Sequence, residues 1–219
     1  MPQKYKAVLL DIDGTLIDSN EQHTDAWVAV LREFGYDIPA ERIRPLIGMG
    51  GDNLMRELLS LGKDDPTAKE ISKRRGELMK SEYLPTVKPF PQARELLVRL
   101  KAGEIKTVVA TSSKEDETNI LLAILQAKEL VDTGATGSDV KNSKPDPDII
   151  NVALQKSGMR PEDVVMIGDT KFDIEAAAKA DVPVIALRSG GASDSDLQGA
   201  IAIYDDPADL LAHFTEGFG

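Results

Sequence analysis

Two carboxylates stand two residues apart near the start of the chain, at the end of the short apolar segment Lys6–Ile12. Within the sequence DIDGT at 11–15, Asp11 and Asp13 point to the same side of an extended backbone, and Gly14 permits a sharp turn directly afterwards. Two such carboxylates repel each other unless a cation lies between them. Mg²⁺ binds one or two carboxylates and keeps phosphate oxygens in its remaining positions. The pentad therefore indicates metal-assisted chemistry on a phosphate group, and a strand-ending turn is the alternative.

Hydroxyl groups and a lysine follow at two later positions. Thr111 and Ser112 come directly after the apolar segment Ile105–Ala110, where a hydroxyl and free backbone N–H groups form a cradle for phosphate. The alternative is an ordinary helix N-cap. Lys144 precedes Pro145, which gives the chain a rigid, non-helical path. A lysine held in this way directs a fixed positive charge at an anion, although a single lysine is more often a solvated surface residue.

A second acidic pair follows the apolar segment Val164–Ile167. Asp169 falls at the predicted strand end and Asp173 lies one helical turn later, so that their carboxylates reach the same point. Taken alone, they are equally typical of an N-cap and a first-turn charge. Ligands bind at the carboxyl ends of the strands in open α/β sheets. Acidic, hydroxyl or lysine side chains occur at four places between a predicted strand and a predicted helix. We therefore expect these four groups of residues to form one shared site.

Short apolar segments predict the strands that position these residues: Lys6–Ile12, Ile105–Ala110, Val164–Ile167 and Val182–Leu187. Their continuous apolar character suits strands that are buried on both faces. Helical spacing predicts helices over Asp116–Leu125, Pro147–Lys156 and Phe172–Lys179. This alternation favours an α/β fold with a doubly wound, mostly parallel, Rossmann-like sheet.

One long segment interrupts the alternation, because its apolar spacing predicts helices only. These helices are His23–Phe34, Glu41–Ile47, Leu54–Leu61 and Thr67–Tyr83. We expect residues 19–88 to form a small helical cap inserted after the first strand, and residues 1–18 and 89–219 to form the core. The basic sequence 73–75 is interpreted as a solvated helix face, and 188–191 as a connecting loop.

Composition narrows the classes of partner. With 26 Lys and Arg against 37 Asp and Glu, the net charge is −11, which argues against nucleic acids and anionic membranes as partners. The absence of cysteine excludes disulfides, thiolate metal sites and cysteine nucleophiles. No signal peptide or membrane span is recognisable. We expect a cytoplasmic protein, a monomer or weak homodimer, whose partner is a small phosphate ester.

Together the four motifs resemble those of the haloacid dehalogenase-like (HAD) hydrolase superfamily. They are DIDGT at 11–15, VVATSS at 108–113, Lys144 with Pro145, and GDTKFD at 168–173. The helical segment resembles the cap of the subgroup that contains phosphoglycolate phosphatase and beta-phosphoglucomutase. The resemblance implies a Mg²⁺-dependent phosphatase that acts on a small phosphorylated metabolite, either a sugar phosphate or a phosphoglycolate-like compound.

The resemblance also implies roles for individual residues. Asp11 is the expected nucleophile and forms an aspartyl-phosphate, while Asp13 serves as general acid and then as general base. Thr111, the Ser112 N–H and Lys144 are expected to neutralise the phosphoryl oxygens. The implied Mg²⁺ ligands are Asp11, the backbone carbonyl of Asp13 and Asp169, with Asp173 in support through water or Lys144.

Two residues of the predicted cap bear on the choice of substrate. His23 is expected to contact Asp13 or the substrate, or else to be a hinge residue that packs near Trp27. Gly51 occupies the position where the related sugar phosphomutases carry an arginine that grips a second phosphate, which favours a phosphatase. A phosphomutase of the beta-phosphoglucomutase type remains an alternative. A phospho-Asp signalling receiver is an alternative from another class, although receivers are much shorter.

Overall fold

Eight strands form one large sheet and one small sheet in the computed structural model, which describes residues 4–219. They are β1 (Ala7–Leu10), β2 (Ile17–Asp18), β3 (Lys88–Pro89), β4 (Lys106–Ala110), β5 (Thr133–Ala135), β6 (Val164–Gly168), β7 (Val184–Leu187) and β8 (Ala202–Tyr204). The large sheet has the order β5-β4-β1-β6-β7-β8, and every pair in it is parallel. The winding direction reverses beside β1, which confirms the predicted doubly wound α/β sheet.

The four predicted strands are all present, each within two residues of its predicted bounds. The two edge strands, β5 and β8, were not predicted. Each is only three residues long. The sequence of β5, TGA, has no large apolar side chain, and β8, AIY, is only half-buried. Edge strands contact the sheet on one side only, so their sequences show a weaker apolar signal.

Ten helices complete the described part of the chain. They are α1 (Asn20–Glu33), α2 (Ala40–Ile43), α3 (Gly51–Leu59), α4 (Pro66–Leu78), α5 (Ala93–Ala102), α6 (Glu115–Ile124), α7 (Asp148–Ser157), α8 (Lys171–Ala178), α9 (Pro207–Ala212) and α10 (Phe214–Phe218). The alternating side chains of β1 divide the core. Val8 and Leu10 pack with α5, α6, α9 and α10, whereas Ala7 and Leu9 pack with α7 and α8. The sheet is therefore covered by helices on both faces.

The segment between β2 and β3 is helical and has a hydrophobic cluster of its own. Trp27, Leu31, Ile43 and Ile71 belong to this cluster, which is separate from the two clusters that flank the large sheet. The antiparallel pair β2–β3 brings the two ends of the segment together. The predicted helix over Glu41–Ile47 is shorter than expected, because α2 gives way to a 3₁₀ turn that contains a proline. Among residues 4–219, no helix combines the length and the apolarity needed to cross a membrane.

Candidate active site

Three adjacent strands end beside one another and place the predicted residues at one edge of the sheet. Leu10 pairs in register with Val109 of β4 and with Ile167 of β6. The residues that follow these strands therefore meet at the carboxyl edge, with Asp11 in the middle. This edge adjoins β1, where the winding of the sheet reverses and where α/β folds bind their ligands.

Lys144 reaches this edge from the loop before α7 and is completely buried. Its Nζ donates hydrogen bonds to Asp11 Oδ1 and to Asp173 Oδ1, both at 2.7 Å. Burial by itself lowers the pKa of Lys144, but the charges of the two carboxylates outweigh burial and raise this pKa above its ordinary value. The alternative of a solvated surface lysine is wrong. On the other side of the loop, Asn53 Nδ2 of α3 donates to the carbonyls of Ser143 at 3.1 Å and Lys144 at 3.0 Å.

Asp11, Asp169 and Asp173 form a buried acidic group whose carboxylate oxygens lie within 4.8 Å of one another. Burial, followed by repulsion from the neighbouring carboxylates, holds the pKa of Asp11 well above its usual range despite the attraction of Lys144. Burial and the charge of Asp173 likewise raise the pKa of Asp169 to about 7. A divalent cation among these hard oxygen ligands offsets both effects, so the residues fit a metal such as Mg²⁺.

Asp173 belongs to this acidic group and Asp13 does not. Asp173 Oδ2 accepts hydrogen bonds from the backbone N–H and the hydroxyl of Thr170, so that Asp173 caps α8 while its other oxygen contacts Lys144. The N-cap of α8 is Thr170, so the N-cap interpretation of Asp169 is wrong. Asp173 is both the expected first-turn acid and a neighbour of Lys144. The Asp13 carboxylate is not part of the acidic group, and the expected metal ligand at this position is its backbone carbonyl.

The Asp13 carboxylate is instead surrounded by donors. Ser19 Oγ donates to Asp13 Oδ1 at 2.6 Å, His23 Nε2 lies 2.7 Å from the same oxygen, and Ser113 Oγ donates to Oδ2 at 2.6 Å. Burial alone raises the pKa of Asp13, but the charge of His23 and these hydrogen bonds outweigh it and hold the pKa well below its usual range. Of the two interpretations of His23, the structure supports contact with Asp13. Ser19 and Ser113 were not predicted.

Arg75 of α4 is a further residue that the sequence analysis missed. Its Nη1 pairs with Glu117 Oε2 of α6 at 3.0 Å, its Nη2 contacts His23 Nδ1, and its guanidinium lies 5.7 Å from the Trp27 ring centroid. Because the Arg75 side chain is only 14% exposed, the prediction of a solvated face is wrong for this residue. Helix phase was the available signal, since Arg75 lies four residues after the fully buried Ile71.

A cavity of about 100 Å³ opens above Asp11 between the helical segment and the sheet edge. It is lined by six of the predicted residues: Asp11, Asp13, His23, Gly51, Thr111 and Ser112. The buried Lys144, Asp169 and Asp173 do not line it. Thr111 is buried and accepts a hydrogen bond from the Ser113 N–H at 3.1 Å. At Gly51, a Cβ atom would lie 2.9 Å from the Trp27 indole, so that glycine leaves room for the ring.

Comparison with known proteins agrees with this geometry. The haloacid dehalogenase-like hydrolase family matches residues 8–187. The chain belongs to this family. A solved structure, that of a hydrolase from Pseudomonas syringae, superimposes with a TM-score of 0.91 at 31% identity, and the match covers 100% of both chains.

Two curated relatives are similar to this HAD-like hydrolase in sequence. The fructose-1-phosphate phosphatase YqaB of Escherichia coli is 27% identical over 86% of this chain and 99% of its own length. A phosphoglycolate phosphatase of Photorhabdus laumondii is 31% identical over 84% of this chain and 81% of its own length. The predicted superfamily and subgroup are confirmed, as is the expectation that the chain is an enzyme, a phosphoric monoester hydrolase.

Proposed function

We propose that this HAD-like hydrolase is a Mg²⁺-dependent phosphatase for a small phosphorylated metabolite, either a sugar phosphate or a phosphoglycolate-like compound, and that it acts through an aspartyl-phosphate at Asp11. The observation that carries the proposal is the position of Asp11, which lines the cavity and also belongs to the buried acidic group. The relatives named as fructose-1-phosphate and phosphoglycolate phosphatases support this class of substrate.

In the first proposed step, an Asp11 carboxylate oxygen attacks phosphorus in line as the bond to the leaving oxygen breaks. The leaving oxygen takes a proton from Asp13 and departs as an alcohol. In the second step, water attacks the phosphorus of the aspartyl-phosphate and gives its proton to Asp13, which releases inorganic phosphate and restores Asp11. The three donors around the Asp13 carboxylate favour the ionised form that this second step requires. The first step therefore uses the less populated protonated form of Asp13, which the second step regenerates.

Positive charge at the site supports both steps. Lys144 Nζ lies 2.7 Å from Asp11, where it offsets negative charge on the nucleophile and on the phosphoryl oxygens. Asp11, the Asp13 carbonyl and Asp169 are the proposed ligands of Mg²⁺, with Asp173 in support through its contact with Lys144. When bound, the metal supplies Lewis-acid stabilisation of the phosphoryl oxygens. Thr111 and Ser112 line the cavity beside Asp11 and are the proposed partners of the phosphoryl oxygens.

We further propose that residues 19–88 act as the cap over a core formed by residues 1–18 and 89–219. The β2–β3 pairing at 17–18 and 88–89, together with the separate hydrophobic cluster of the helical segment, supports these bounds. Gly51, the first residue of α3, and Asp11 line the same cavity. Since Gly51 carries no side chain that could grip a second phosphate, hydrolysis is favoured over a mutase reaction.

The test is the hydrolysis of p-nitrophenyl phosphate, followed by a panel of sugar phosphates and phosphoglycolate. We expect turnover with Mg²⁺, and we expect Asp11→Asn to lower kcat by about a thousandfold or more. Asp18→Asn, at an exposed position close in sequence, is the matched control and should keep wild-type activity. Activity that survives Asp11→Asn or excess EDTA would contradict the proposal.

Two further outcomes separate the alternative functions. Conversion between isomers of a sugar phosphate, followed by NMR with a bisphosphate activator, would indicate a mutase. A stable, stoichiometric phosphoryl group on Asp11 without turnover would indicate a signalling receiver.

A further inference from the structure

A continuous row of hydrogen bonds connects Asp169 with the helical segment. Asn20 Nδ2 donates to Asp169 Oδ2 at 3.2 Å and to the Gly190 carbonyl at 3.1 Å. Arg44 Nη2 donates to the same carbonyl at 2.7 Å. A side-chain amide nitrogen carries two hydrogens, so Asn20 makes both bonds at once. Asp169 is thereby connected to Arg44 through three consecutive contacts.

The Asp169 carboxylate is confined by its surroundings. Thr15 Oγ1 donates to its Oδ1 at 2.8 Å, and the Asp169 residue as a whole is only 1% exposed. A Cβ atom at Gly14 or at Gly190 would overlap this carboxylate, so that both backbones approach it closely. Asn20, itself only 4% exposed, donates to the other carboxylate oxygen, Oδ2. The orientation of the carboxylate therefore depends on Asn20 and Thr15.

Arg44 belongs to the helical segment, whereas Gly190 and Asp169 follow strands of the large sheet. Within residues 4–219, Arg44 forms no ion pair, and its bond to Gly190 is the one hydrogen bond of its side chain. Arg44, Asn20 and Asp169 line a common cavity of about 280 Å³, distinct from the cavity above Asp11. A guanidinium that contacts a single backbone carbonyl suits a positioning role better than a stabilising ion pair.

We propose that Asn20 and Arg44 are positioning residues for the divalent metal: they hold the Asp169 carboxylate in the orientation that binds the ion, and Arg44 makes metal affinity depend on contact between the helical segment and the sheet. The proposal rests on the metal site proposed above. Residues that hydrogen-bond a metal ligand fix its orientation, and their loss typically costs about 10- to 100-fold in metal affinity.

The experiment is a calorimetric titration of the full-length protein with Mn²⁺ as the probe. We expect Asn20→Ala to weaken Mn²⁺ binding by about 10- to 100-fold. Arg44→Met, which removes one hydrogen bond further from the ligand, should weaken it by about 3- to 10-fold, and Arg44→Lys should recover part of the loss. Arg42→Met, an exposed arginine close by in α2, is the matched control and should bind as the wild type does. The melting temperature in EDTA reports any general loss of folding.

The outcomes separate this inference from the metal site on which it rests. If the wild type binds no Mn²⁺, or if Asp169→Asn binds it equally well, the proposed metal site fails and the inference fails with it. If the wild type binds and Asp169→Asn does not, but Asn20→Ala and Arg44→Met stay within twofold of the wild type, only the inference is overturned. If the buried Asn20→Ala variant fails to fold, Mn²⁺ binding by the variants of the partly exposed Arg44 decides the question.

Discussion

Replacing Lys144 by methionine removes a buried charge while it keeps a side chain of similar length. The wild-type Nζ lies 2.7 Å from both Asp11 and Asp173, and the lysine is 0% exposed. Loss of one partner from a buried ion pair costs about 3–5 kcal/mol, because the remaining charge is left without compensation. With two carboxylates affected, we expect a loss near the upper end. At about 2–4 °C per kcal/mol for a chain of this size, the melting temperature should fall by roughly 10–20 °C.

The assay is urea unfolding in EDTA at pH 8 and at pH 5. Burial already raises the pKa of Asp11 in the folded protein, and loss of the lysine raises it further. A carboxyl group whose folded-state pKa is raised destabilises the fold at every pH above its unfolded-state pKa. The cost grows with pH until the folded-state pKa is passed, and it disappears as the pH falls towards the unfolded-state pKa. The deficit of Lys144→Met should therefore be largest at pH 8 and smaller at pH 5.

Lys156→Met is the matched control. Lys156 pairs with Asp139 at 2.8 Å, but its side chain is 38% exposed, so that its removal should cost less than about 1 kcal/mol. The reasoning is refuted if Lys144→Met unfolds within 1 kcal/mol of the wild type at pH 8 (an order-of-magnitude threshold set by surface pairs). It is also refuted if the deficit is equal at the two pH values.

Three further results are expected. Mg²⁺ at about 100 times its Kd should stabilise the protein by roughly 2.7 kcal/mol and raise its melting temperature by about 5–10 °C in scanning calorimetry, and Asp169→Asn should abolish this shift. Ile71→Ala, in the fully buried cluster of the helical segment, should cost about 2–5 kcal/mol in urea unfolding, while the exposed Val98→Ala should stay within about 0.5 kcal/mol. Arg75→Met leaves the buried Glu117 unpaired and should cost about 3–5 kcal/mol. A double-mutant cycle with Glu117→Gln should show that the two losses are not additive.

The acidic and hydroxyl residues of the site could be predicted because each follows a strand with a strong apolar signal of its own. Asp11 and Asp169 directly follow such segments, and parallel strands bring their carboxyl ends to one edge. Lys144 could be proposed from the rigid path that Pro145 gives the chain, although a solvated surface lysine is the more common case. Its complete burial was not evident from its neighbours in the sequence, because that burial depends on distant carboxylates.

The partners of these residues were much harder to predict. Ser113 and Asp13 are 100 positions apart in the sequence, and no local pattern indicates that they meet. Arg75 was assigned to a solvated face because the charge of the sequence 73–75 was considered without the phase of the helix. The edge strands β5 and β8 were missed because each is only three residues long, too short for a clear apolar pattern.

Lys144 is fixed by two different parts of the chain, one that contacts its backbone carbonyl and one that contacts its side-chain amine. Asn53 of the helical segment donates to the Lys144 carbonyl, while the Lys144 Nζ donates to Asp11. The helical segment is therefore not freely exchangeable between relatives, even though it is inserted at a narrow pair of strands. A chimaera with a helical segment from another protein needs a hydrogen-bond donor at position 53. Without it, the backbone of Lys144, whose charge lies beside Asp11, loses this hydrogen bond. Sequence change in this helix and in the lysine loop is thus expected to be correlated across lineages.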